Sequence, residues 1–184
     1  MEYLIIIILN FLSCVILISN GTLFKGLFNF KSLNEDIIES GIYGFILISL
    51  VTFFLNFFFK ISNNLSLIIL ILPFFLTYKN IYQYRNKIFY NSIILSLISS
   101  LIMFLDHTNR PDAGLYHLPF INILNDSKII FGLANLEFRF GHTSILQYLS
   151  AAFNNQIFTE NGILLPLANI FAFTTVYIFN LIKN

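Results

Sequence analysis

The chain has 184 residues, 57% of them apolar or aromatic and 10% charged, with a formal net charge of +1. A soluble domain carries roughly 25% charged residues, so ten basic and nine acidic side chains cannot clothe a globule of this size in water. A disordered chain is excluded on the same grounds. The lone cysteine, Cys14, excludes a disulfide framework, and the absence of a basic stripe excludes a nucleic-acid binder. What remains is an all-α polytopic membrane protein whose first partner is lipid, because a backbone in hydrocarbon must satisfy its own hydrogen bonds.

Segments 3–19, 41–59, 61–78, 88–105 and 163–182 approach the length of about 20 apolar residues that crosses a bilayer, so five spans are expected. The first lacks the basic flank and small-residue cleavage site of a signal peptide, so it reads as a retained helix. Pro73 falls inside the third and predicts a kink, tolerable if a neighbouring helix takes up the freed carbonyl. The stretch 78–87 carries Lys79, Arg85 and Lys87 without an acid, which assigns it to the cytoplasm. By alternation 20–40 is then also cytoplasmic, and the segment after Leu105 faces outward.

Polar residues within the spans fall in stripes. Ser92, Ser96 and Ser100, with Ser99 beside them, share one face of the fourth span; Ser49, Thr52 and Asn56 line the second, and Ala168, Ala172 and Thr175 the last. Small and hydroxyl residues at this spacing let helices approach closely. No charged residue or histidine sits mid-span, which counts against pumps and ion pathways.

The chemistry-bearing stretch is 106–142, which holds all three histidines (His107, His117 and His142) and mixes charges with Leu, Ile and Phe. That mixture suits a segment lying at the membrane surface. Pro111 is placed as the first residue of a helix, with Asp112 in its first turn, where the helix dipole keeps a carboxylate ionised. Tyr116 shares the face of Asp112, His117 is next to it, and Pro119 limits the first turns. Asp106 and His107 lie at the outer mouth of the fourth span, so two carboxylates and two imidazoles can converge there.

Three functional readings stand beside plain interfacial anchoring and arginine snorkelling. A carboxylate near an imidazole can act as a general base. Asp106, His107, Asp112 and His117 could hold a divalent cation, although no zinc-type spacing is present. Arg110 and Arg139 could clamp a phosphate. Downstream, Ser144 and Gln147 fit a capping box opening a helix over 145–153, too short to span and expected to lie flat at the outer surface, with a buried re-entrant piece as the alternative. Gly132 and Gly141 bracket a turn containing Asn135, Glu137 and Arg139.

The run Asp112-Ala113-Gly114-Leu115-Tyr116-His117, followed by Gly132-Leu133-Ala134-Asn135-Leu136 and by Arg139-Phe140-Gly141 with Thr143 and Ser144, resembles a family of bacterial polytopic membrane proteins related to GT-C type glycosyltransferases. The resemblance implies a transferase of the bacterial inner membrane. It would take a sugar from a polyprenyl-phosphate carrier in surface polysaccharide or glycolipid assembly, with its site in the outward loop 106–160. Asp112 matches the loop carboxylate that acts as base or helps hold a cation, with His117 and Asp106 as further catalytic candidates. Arg139 matches the position facing the carrier phosphate, with Tyr116, Arg110 and Asn135 as further substrate-binding candidates. Two features depart from GT-C enzymes: their catalytic loop usually follows the first helix, and they have more spans. The expectation is therefore an amino-terminal part of a longer protein, or a chain completed by a second polytopic subunit. A non-enzymatic subunit and a polysaccharide polymerase are the alternatives.

Overall fold

The computed structural model describes residues 2–28, 36–105, 113–141 and 144–183. The long helices are α1 (Glu2–Leu27), α2 (Ile37–Asn56), α5 (Arg85–Leu105) and α9 (Leu165–Lys183). All four are long and apolar enough to cross a membrane. Between them lie α3 (Asn63–Leu76), α4 (Tyr78–Gln83), α6 (Leu118–Asp126), the single turn α7 (Leu133–Leu136) and α8 (Ile145–Phe153). No strand occurs among the described residues.

The polar run after residue 19 does not end the first helix. Asn20 Nδ2 and Thr22 Oγ1 donate back to the Ile16 and Ile18 carbonyls at 2.9 and 2.8 Å, so neither competes with the helical ladder. Lys25, expected in a loop, is instead a buried residue of the last turn, ion-paired with Glu39 at 2.6 Å. Asp36 caps α2, its Oδ1 accepting from the Ile38 and Glu39 N–H groups at 2.8 and 3.3 Å. The α1–α2 hairpin is drawn together by glycine. A Cβ on Gly44 would lie 2.0 Å from the Leu17 carbonyl oxygen, and one on Gly21 would lie 1.5 Å from that of Ser40. Backbones approach here as membrane helices do through small residues.

The segment 61–78, expected as a span, holds only the 14-residue α3, which at 1.5 Å per residue reaches roughly 21 Å against about 30 Å of hydrocarbon. Pro73 lies inside it, which frees the Ile69 carbonyl. The adjoining Leu70 carbonyl accepts from Asn20 Nδ2 of α1 at 3.2 Å. The basic stretch 78–87 is helical rather than a loop, divided between α4 and the start of α5.

Inside and outside are inverted relative to a soluble bundle. Leu50 and Phe54 of α2, Leu97 and Leu101 of α5, and Phe171 and Ile178 of α9 are exposed, while the polar side chains point inward. Asn10 Nδ2 donates to Ser100 Oγ at 2.9 Å. Asn169 Nδ2 donates to Ser13 Oγ at 2.6 Å, and its Oδ1 accepts from Cys14 Sγ at 3.4 Å. Ser92, Ser96, Ser99 and Ser100 are all buried, as are Ser49, Thr52, Asn56, Ala168 and Ala172, so these stripes are packing faces. Thr175 is exposed and does not belong with Ala168 and Ala172; on α9 the buried polar position is Asn169.

Candidate functional site

α8 does not lie flat on the surface. Every residue from Gln147 to Phe153 is buried. Leu149, Ala152 and Phe153 join the core shared by the long helices, and Tyr148 and Ala151 join a second cluster with Ile61, Phe120, Ile121 and Leu124. From Gln147 onward the buried residues go all the way round the helix, so that stretch has no solvent face, while Ile145 and Leu146 of the first turn are exposed. Burial pushes the Tyr148 phenol up from its ordinary value, because a phenolate there would lose its hydration.

The expected capping box is present. Ser144 Oγ accepts from the Leu146 N–H at 3.2 Å, and Gln147 Oε1 accepts from the Ser144 N–H at 2.8 Å. That second bond fixes the orientation of the Gln147 amide, leaving Nε2 to meet His117 Nδ1 at 3.1 Å. An amide nitrogen only donates, so Nδ1 must be the unprotonated nitrogen, and the proton of the neutral ring sits on Nε2. The exposed imidazole therefore offers a donor outward. Tyr116 lies against the same imidazole, ring centroids 4.2 Å apart.

His117 ends a π-helical turn, Ala113–His117, that runs directly into α6. As expected, the turns before Pro119 do not run as a regular α-helix: they are π-helical up to His117, and the α-helical geometry of α6 begins at Leu118, with Pro119 in its first turn. Asn125 Nδ2 donates to the Ile61 and Ala151 carbonyls at 2.9 and 3.0 Å, and its Oδ1 accepts from Asn154 Nδ2 at 3.0 Å. With His117 meeting Gln147 at one end and Asn125 meeting Ala151 and Asn154 at the other, α6 and α8 run parallel.

Residues 132–141 fold back on this pair. Gly132 takes φ 86° ahead of α7, a left-handed conformation that favours glycine. Leu133 and Phe140 pack into the Phe120–Tyr148 cluster. Asn135 is exposed. Arg139 sits over the Phe138 ring, 5.2 Å from its centroid, and 4.0 Å from Glu137 Oε1, a loose pairing that leaves the guanidinium accessible.

At the far end of α6, two clefts adjoin. One is apolar, walled by Phe58, Phe59, Leu65 and Ile68, with Lys60 and Lys128 at its rim. The other is polar, lined by Asn63, Asn122, Asn154, Gln156, Thr159 and Glu160 among others. Lys60, Ser62 and Asp126 border both. Thr159 stands at φ 52°, a left-handed strain of order 1 kcal/mol, in a turn where Asn155 Oδ1 accepts from the Ile157 and Phe158 N–H groups.

Of the residues singled out in sequence, His117, Tyr116, Arg139 and Asn135 are placed, and His117 and Tyr116 are brought together. Asp106, His107, Arg110, Asp112 and His142 lie outside the described residues. Of the four residues of the expected cation site only His117 is therefore described; among the described residues no three metal-ligating side chains cluster. Sequence reasoning missed the pairing of Gln147 with His117 and the Asn125 clamp, both contacts between residues far apart in the chain. No curated protein and no solved structure matches the chain. The chain belongs to the family described as Domain of unknown function (DUF8201), whose family model matches residues 3–184.

Proposed function

We propose that this protein is a membrane-embedded glycosyltransferase of the GT-C kind, taking a sugar from a polyprenyl-phosphate carrier in surface polysaccharide or glycolipid assembly. In this reading α3 makes a short fifth crossing, and the face bearing α6 and α8 is extracytoplasmic. The basic residues Lys25, Lys79, Arg85 and Lys87 then lie on the cytoplasmic side, as short basic segments do. The observation that supports it is the setting of His117, the last residue of the D-x-G-x-Y-H run, whose ring is oriented by a glutamine of a buried helix.

Because Nδ1 is occupied by Gln147, His117 acts through Nε2–H as a donor to a phosphate oxygen as the carrier leaves. The base that takes the acceptor hydroxyl proton is then Asp112. Tyr116 holds the imidazole in place, and Arg139 binds the carrier phosphate. Together they deprotonate the nucleophile, let its oxygen bond to the anomeric carbon, and stabilise the departing lipid phosphate.

The test is Asp112→Asn in membranes supplied with a panel of radiolabelled polyprenyl-phosphate hexoses. Loss of a proton-accepting group costs about 10²–10⁴-fold in rate, so label transfer should vanish while insertion and melting temperature stay unchanged. Undiminished transfer in that variant overturns the assignment.

A further inference from the structure

The two adjoining clefts have the chemistry of an amphiphile cut into its parts. The apolar one opens beside an uninterrupted lipid-facing strip on α3, where Ile68, Leu72 and Phe75 are all at least half exposed at four- and three-residue spacing. An alkyl chain lying between Phe58, Phe59, Leu65 and Ile68 would continue down that strip. At its mouth stand Lys60 and Lys128, neither ion-paired with a described acid, so both ammonium groups are available to a phosphate.

Past Lys60 the lining changes to amides. Asn125, Asn154 and Asn155 are consumed by the framework, where they hold α6, α8 and the following turn. Asn63, Asn122 and Gln156 also line this cleft, and their side-chain amides bond to no other described residue. A carboxamide offers a donor and an acceptor side by side, which matches adjacent hydroxyls, each of them both donor and acceptor. Asp126, bordering both clefts, adds an acceptor for a hydroxyl proton.

We propose that the paired clefts bind a phospholipid with a polyol head group, of the phosphatidylglycerol type. Its acyl chain lies in the apolar cleft, its phosphate between Lys60 and Lys128, and its hydroxyls against Asn63, Asn122 and Gln156. This site is separate from the one proposed for sugar transfer. α6 has nine residues, so its length puts the phosphate position beside Lys128 roughly 13 Å from His117, too far for it to be the leaving group there.

The full chain in detergent is titrated with phosphatidylglycerol, phosphatidylethanolamine, diacylglycerol and undecaprenyl phosphate, and retention is read by native mass spectrometry. Phosphatidylglycerol is expected to bind tightest and diacylglycerol not at all. The double variant Lys60→Ala, Lys128→Ala should weaken phosphatidylglycerol about tenfold or more, the value of a charged hydrogen-bonded contact. Asn122→Ala with Gln156→Ala should abolish its preference over phosphatidylethanolamine, and Lys79→Ala with Lys87→Ala should change nothing. Equal retention of diacylglycerol, unchanged affinity in the lysine variant, or tighter lysine-dependent binding of undecaprenyl phosphate would each overturn the assignment. Sugar transfer is assayed separately on the same variants, so failure of lipid binding leaves the transferase reading to its own test.

Discussion

The side-chain amide of Gln147 is held at both ends, Oε1 by the Ser144 N–H and Nε2 against His117 Nδ1. One residue thus caps a helix and selects the tautomer of a histidine in another segment. Gln147→Glu separates these roles. Glutamate at this position preserves the capping box and suits a helix N-terminus, so stability should change by less than about 0.5 kcal/mol. The carboxylate, however, accepts from Nδ1–H and favours the imidazolium, which moves the ring proton off its original pattern. In ¹⁵N spectra of the labelled side chain, the wild type should show an unprotonated Nδ1 and the variant a protonated one. A protonated Nδ1 in the wild type would contradict the assignment. At this scale the sequence revealed the capping box and the Tyr116–His117 neighbours, because both are local. The bond between residues 117 and 147 depends on how α6 and α8 meet, which no spacing along the chain encodes.

Single helices show where apolar patterning stops being informative. The existence of α1, α2, α5 and α9 was legible because lipid demands long apolar runs, but their ends were not. α1 runs on through Asn20, Gly21, Thr22 and Lys25 because each polar group finds a partner within the hairpin and the glycine admits the neighbouring backbone. α8 was read as surface-bound for its length, whereas from Gln147 onward its residues are buried on every side. The glycines give the sharpest test of helix packing. Gly44→Val places side-chain carbon on the Leu17 carbonyl, an overpacking worth about 1–3 kcal/mol, so the melting temperature in detergent should fall by roughly 2–12 °C. Gly26, also in α1, has nothing within 4 Å of its Cβ position, so Gly26→Ala should hold or raise it. A fall of equal size in both variants would mean that helix propensity, and not close approach, governs these positions.

Across the whole molecule, the arrangement of polarity is the feature that composition foretold: amides and hydroxyls are buried between the helices, several of them bonded to one another, and many leucine and phenylalanine side chains face outward. The gathering of α6, α8 and the 132–141 turn over the end of α2 was only partly foreseen. The amide clamp of Asn56, which donates to the Ser127 carbonyl at 3.1 Å, and that of Asn125 look like ordinary polar residues in sequence. The central claim is that this assembly and the basic 78–87 stretch occupy opposite ends of the bundle, with His117 on the outer one. Single cysteines at His117, Lys128, Lys79 and Lys87, in a Cys14→Ala background, can be treated in intact cells with a membrane-impermeant maleimide. Labelling at 117 and 128 but at 79 and 87 only after lysis is the expected result; positions 117 and 87 reacting from the same side would contradict it.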